Sequence, residues 1–120
     1  MEKRHNYKKL TIWKVGIEIA DDVYDLLEKM PNSELYGMQS QMSRSSSSIP
    51  TNIAEGSSRS NKSFSHFLDI SLGSSYELET QLIISERRKY IKASDCSDLK
   101  LKIDKIQKMI KGFKSNLGSV

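Results

Sequence analysis

Apolar residues recur at helical spacing along most of the chain. Trp13, Ile17, Ala20, Val23 or Tyr24, and Leu27 stand three or four apart, which lines one face of an α-helix. The spacing predicts a first helix over residues 10–30, with Trp13 as a core anchor and Asp21, Asp22 and Asp25 off the stripe. Pro31 forbids its continuation. A second rhythm runs through Leu35, Met38, Met42, Ile49 and Ile53. Asn32-Ser33 reads as its N-cap, with Glu34 in the favourable first turn, and Gly56-Ser57-Ser58 as its end. Pro50 falls inside this rhythm, which resumes at Ile53 without a phase change. That predicts one long helix kinked at Pro50; the competing reading is a break near Ser48.

A third stripe joins Phe64, Phe67 or Leu68, Ser71, Ser74 or Ser75, Leu78, Leu82 and Ser85. It predicts a helix over residues 62–90, capped by Asn61. Between residues 40 and 75 there are fourteen Ser. Ser is an indifferent helix former, so tertiary packing must hold these two helices, and the small side chains let a neighbouring backbone come close. In the fourth segment Leu99, Ile103, Ile106, Ile110, Phe113 and Leu117 step by four and three, a heptad pattern. It predicts a helix over residues 95–117, capped by Ser94 or Asp95 and closed by Gly118. Four amphipathic helices with short connections predict an all-α fold, an antiparallel up-down-up-down four-helix bundle over residues 1–120.

Composition narrows the class. The 120 residues include only two Pro and one Cys, Cys96. No internal disulfide is possible, which points to a reducing compartment and a cytoplasmic protein. No apolar run approaches the roughly 18 residues needed to cross a membrane. Mean hydropathy is −0.54, low for a monomer that must cover its own core. Ile70 and Ile83 also lie off the third stripe, which predicts a second contact surface and self-association.

The formal net charge of +4 is unevenly spread. Residues 1–9 form a basic arm, with Lys3, Arg4, Lys8 and Lys9 against Glu2. Residues 10–36 sum to −4, residues 86–92 to +3 and residues 100–114 to +5. Clusters of this kind attract phosphate backbones. The candidate phosphate contacts are Arg44, Arg59, Lys62, Arg87, Arg88 and Lys89, supported by the arm. For each, the alternative is a solvated charge or a salt bridge between protomers.

Catalytic and metal chemistry find no foothold in the sequence. His5, His66 and Cys96 have no metal-ligand spacing. Glu77 and Glu79 are two apart and diverge on a helix. Gly56-Ser57-Ser58-Arg59 is too short for a phosphate loop and lacks the Lys-Ser/Thr ending. The Ser cluster has no adjacent base, and His66 reads as a surface or interface residue. The expectation is a protein with no enzymatic activity, no cofactor and no metal.

Four motifs carry a resemblance. Ser48-Ile49-Pro50-Thr51-Asn52-Ile53-Ala54-Glu55-Gly56 resembles the signature of the bacterial 23S rRNA intervening-sequence protein family. Glu34-Leu35-Tyr36-Gly37-Met38 resembles that family's entry to helix two. Ser71-Leu72-Gly73-Ser74-Ser75-Tyr76-Glu77-Leu78-Glu79-Thr80-Gln81-Leu82 resembles its third-helix motif. Leu10-Thr11-Ile12-Trp13-Lys14 resembles its first-helix opening. The chain departs at Ser43-Arg44-Ser45-Ser46-Ser47, where relatives place Arg and Ala. The resemblance implies a homo-oligomeric ring, commonly a pentamer, with no attached enzymatic activity and a role with nucleic acid, RNA first. A related branch, the accessory variability proteins of diversity-generating retroelements, implies the alternative of docking a reverse transcriptase.

Overall fold

The computed structural model describes residues 4–34 and 36–117. Its α-helices are α1 (Thr11–Leu27), α2 (Met38–Ser57), α3 (Asn61–Arg87) and α4 (Ser97–Leu117), and no strand occurs among the described residues. Short 3-10 turns precede α1, α2 and α4. The molecule is elongated, 51 × 23 × 20 Å. α1 packs on α2 and α4, and α3 packs on the same two helices, so α1 and α3 sit diagonally across the bundle.

The core follows the expected stripes in three helices. Met42, Ile49 and Ile53 of α2 are buried against Phe64, Leu68, Leu78 and Leu82 of α3 and Leu99, Ile103, Ile106 and Ile110 of α4. Phe113 and Leu117 are half-buried at its margin.

α1 differs. Its buried residues are Ile12, Val15, Gly16, Ile19, Val23 and Leu26. The expected stripe lies beside this one and shares only Val23 with it: Ile17 and Tyr24 are exposed, and Trp13, Ala20 and Leu27 are half-buried. The helix carries two overlapping apolar stripes, both at helical spacing, and the core takes the one that includes Gly16. Gly16 is needed there because Pro50 of α2 lies directly opposite. Trp13 packs its ring edge-on to Tyr7, 5.3 Å between centroids, at the edge of the core.

Helix limits shift for local reasons. α1 stops at Leu27, before Pro31, as Lys29 and Met30 N–H groups turn back to Leu26 and Leu27 carbonyls. Asn32–Glu34 forms a separate 3-10 turn, so α2 starts at Met38 with Gly37 as N-cap, not at Asn32-Ser33. The side chain of Gln39 donates to the Pro31 carbonyl and closes this corner at 2.9 Å. Pro50 lies inside α2, which is unbroken at Ser48. Ser60, not Asn61, caps α3, its hydroxyl accepting from Ser63 N–H at 3.2 Å. Before α4, Ala93–Asp95 forms a 3-10 turn, so the expected cap at Ser94 or Asp95 belongs to that turn. Leu35, Lys3 and Gly118 lie outside the described residues.

Buried serines are reconciled with a dry interior by hydrogen bonding. Ser46, Ser57 and Ser75 hydroxyls donate back to carbonyls three residues earlier. Such back-bonding satisfies a hydroxyl without demanding a partner from the neighbouring helix.

Candidate nucleic-acid interface

The basic candidates lie on, or just beyond, a cross-bonded α2–α3 pair. Ser71 Oγ donates to the Ile49 carbonyl at 2.8 Å, Ser48 and Ser74 hydroxyls meet at 2.7 Å, and Ser45 Oγ donates to Gln81 Oε1 at 2.7 Å. Asn52 Nδ2 donates to both the carbonyl and the hydroxyl of Ser48. At the turn, Gly56 is pressed against Phe64 and Phe67. Within the stretches 48–56 and 71–82, Ser48, Ile49, Ser71, Ser74 and Gln81 therefore join these two helices.

One family model, described as 23S rRNA-intervening sequence protein, matches residues 8–112. The chain belongs to the 23S rRNA-intervening sequence protein family. A solved structure of similar fold is a protein of unknown function from the S23 ribosomal protein family of Bacteroides thetaiotaomicron. It is 24% identical, with 87% of this chain and 98% of that chain covered and a TM-score of 0.79. No curated protein matches the chain.

In this intervening-sequence protein the six basic candidates do not converge on one place. Arg59 and Lys62 lie at the α2–α3 turn. Arg87, Arg88 and Lys89 lie at the other end of α3, whose 27 residues span about 40 Å. Arg44 stands alone on the exposed side of α2, its guanidinium donating to Ser40 Oγ at 3.0 Å. Arg59 is engaged internally: it pairs with Glu55 at 2.8 Å and lies 5.3 Å over the Phe67 ring.

The fold adds cations to the Arg59–Lys62 end that sequence separation concealed. His5 N–H donates to the Ser57 carbonyl at 3.2 Å, and its ring stands edge-on to Phe64 and Phe113. Those contacts bring the arm to the last turns of α4, where Lys9 lines a groove with Met109, Gly112, Phe113 and Asn116. Lys111 there lies 5.9 Å over the Tyr76 ring, and Lys114 pairs with Asp69. The signal that could have located this end is the aromatic trio His5, Phe64 and Phe113, which is invisible until the helices are packed.

At the opposite end, the α3 terminus is locked by a Schellman motif. Tyr90 N–H donates to the Ser85 carbonyl and Lys89 N–H to the Glu86 carbonyl. Lys89 takes the left-handed conformation, φ 63°, where Gly is the usual choice. Beside it the Cys96 thiol donates to Glu86 Oε1 at 3.0 Å, and Lys100 pairs with the same carboxylate. Those two partners hold the Glu86 carboxyl below its ordinary pKa. Burial, then the Glu86 carboxylate, pushes the Cys96 thiol up to about 11. The backbone N–H of Lys92 similarly lowers Asp95, with help from Lys29.

Among the described residues, no group of His, Cys, Asp and Glu is placed to hold a metal ion. Nor is any helix among them long and apolar enough to cross a membrane. His66 is exposed on α3 with its ring edge-on to Phe67.

Proposed function

We propose that this family member is a non-enzymatic, cytoplasmic homo-oligomer, pentameric as the family resemblance implies, that binds nucleic acid, RNA first, by phosphate contact. The observation that carries the reading is the gathering of the arm, the α2–α3 turn and the end of α4 into one basic pole. Arg87, Arg88 and Lys89 supply a second, smaller basic pole, and Arg44 lies between them. Phosphate contacts at both poles are sequence-tolerant, because cations read the backbone and not the bases.

The protomer in this proposal is an up-down-up-down antiparallel bundle. Cross-helix pairs support it: Ser48–Ser74, Ser45–Gln81 and Met42–Ser85 descend along α2 as they ascend along α3. A kink of α2 at Pro50 belongs to the same proposal, since Pro has no N–H to offer Ser46 and its ring crowds that carbonyl. A ring of such protomers repeats each basic pole, so weak phosphate contacts add by avidity.

Titrating the protein with unrelated RNA and DNA sequences over a range of salt tests the reading. Expected are similar affinities across sequences, with log affinity falling linearly in log salt by about 0.7–0.9 per phosphate contact. Absence of binding at low salt overturns it.

A further inference from the structure

The 48–56 motif ends in Glu55-Gly56, and both residues act on the α2–α3 turn. Gly56 lets the Phe67 side chain of α3 seat against α2; a Cβ there would stand 2.7 Å from the Phe67 Cβ. Arg59, just past α2, lies over the Phe67 ring, 5.3 Å from its centroid. Glu55, one helical turn back, holds the guanidinium through a 2.8 Å ion pair. The ring of exposed His66 stands edge-on to the same Phe67 at 6.0 Å.

These contacts orient Arg59 without covering it. The Phe67 ring shields one side of the guanidinium, yet the Arg59 side chain remains 49% exposed. A guanidinium is planar and weakly hydrated, so its open side can stack on another planar group. Glu55 is neutralised by Arg59, and Asp69, two residues past Phe67, by Lys114. Lys62 is exposed and stands four residues before His66 on α3, so the two share a helix face. Planar groups and a cation thus meet at one corner of the larger basic pole.

We propose that this corner receives an unpaired base of single-stranded RNA. The base stacks on the open side of Arg59, with His66 beside it, and Lys62 takes a flanking phosphate. Bases in a duplex are already stacked on one another, so only a single strand can offer one. Every base has a π-face, so the contact adds affinity without a sequence preference. This rests on the nucleic-acid binding of the proposed function and names the class of strand it takes.

Two strands of equal length test it: a mixed-sequence single-stranded oligoribonucleotide, and an abasic strand with the same phosphates and no bases. The wild-type chain is expected to bind the first about tenfold more tightly, the size of one stacked base. Arg59→Lys keeps the charge and loses the plane. It is expected to remove most of that advantage while leaving affinity for the abasic strand, and its salt slope, at the wild-type level. Lys62→Ala is expected to weaken binding of both strands alike. Both sites are exposed, and helical circular dichroism checks that the variants stay folded. Equal wild-type affinity for the two strands, or an Arg59→Lys variant that keeps the advantage, would overturn the stacking site while phosphate binding stands. Failure to bind either strand at low salt would overturn both.

Discussion

Gly16 of α1 lies directly against Pro50 of α2. A Cβ at position 16 would stand 3.2 Å from the Pro50 Cβ and 3.4 Å from its Cα and N. The pyrrolidine ring and the backbone that carries it are stiff, so neither side yields. This close approach selects the buried face of α1 and gives the mid-helix proline a place to pack.

Substituting the close-contact glycines is expected to destabilise the bundle despite better helix propensity. Ala at an ordinary helix position gains about 1 kcal/mol over Gly. At Gly16 overpacking cancels or exceeds this, for a net loss of about 1 kcal/mol. At Gly56 the added Cβ would sit 2.7 Å from both Phe64 Cδ1 and Phe67 Cβ, so Gly56→Ala is expected to cost about 2 kcal/mol. Urea unfolding midpoints check both, and unchanged midpoints would contradict the packing argument.

Lys89→Gly is expected to stabilise the protein by about 1 kcal/mol. Lys89 occupies the left-handed position of the Schellman motif, where a side chain costs roughly that much and Gly does not. Thermal unfolding at neutral pH reads the change; a lowered midpoint would mean that the Lys89 side chain earns its place through contacts.

Alkaline pH is expected to weaken the fold through Cys96. Its thiol titrates near 11 in the folded chain against an ordinary value of 9.0. A raised pKa leaves its contribution fully present below pH 9.0 and lost as pH rises toward about 11, a change of roughly 3 kcal/mol. Glu86 has the opposite sign: its lowered pKa contributes stability above the ordinary carboxylate range, lost as pH falls through the folded value. Urea titrations of wild type and Cys96→Ala across this range separate the thiol from other alkaline titrations. Parallel losses in the two proteins would assign the effect elsewhere.

Removing cations from each basic pole should affect RNA binding unequally. Lys8→Ala, Lys9→Ala and Lys62→Ala together are expected to reduce affinity for unrelated sequences and shrink the salt slope by about 0.7–0.9 per lost contact in each engaged protomer. Arg87→Ala with Arg88→Ala is expected to act in the same direction but less, and to lower stability by about 0.3–1 kcal/mol each through the helix dipole. Salt-dependent titrations, with oligomeric mass checked in parallel, read both sets. Wild-type affinity and slope in the Arg87, Arg88 variant would reduce that pole to a helix-capping role.

Much of the architecture was legible in the sequence because apolar period reports burial when a helix has only one apolar face. The heptad of α4 from Leu99 to Ile110, the α2 positions Met42, Ile49 and Ile53, and the exposure of Ile70 and Ile83 all follow from spacing alone. So does the continuity of α2 through Pro50. α1 shows the limit of that logic: it has two stripes of equal period, and only the approach of Pro50 to Gly16 decides which one is inside. The same holds for charge. Arg59 and Lys62 are marked as basic by sequence, but the Glu55 partner, the Phe67 ring and the arm brought over by His5 depend on which helix ends meet. Local spacing is a property of one segment, whereas close packing, ion pairing and the assembly of a pole require segments far apart in sequence to share one place.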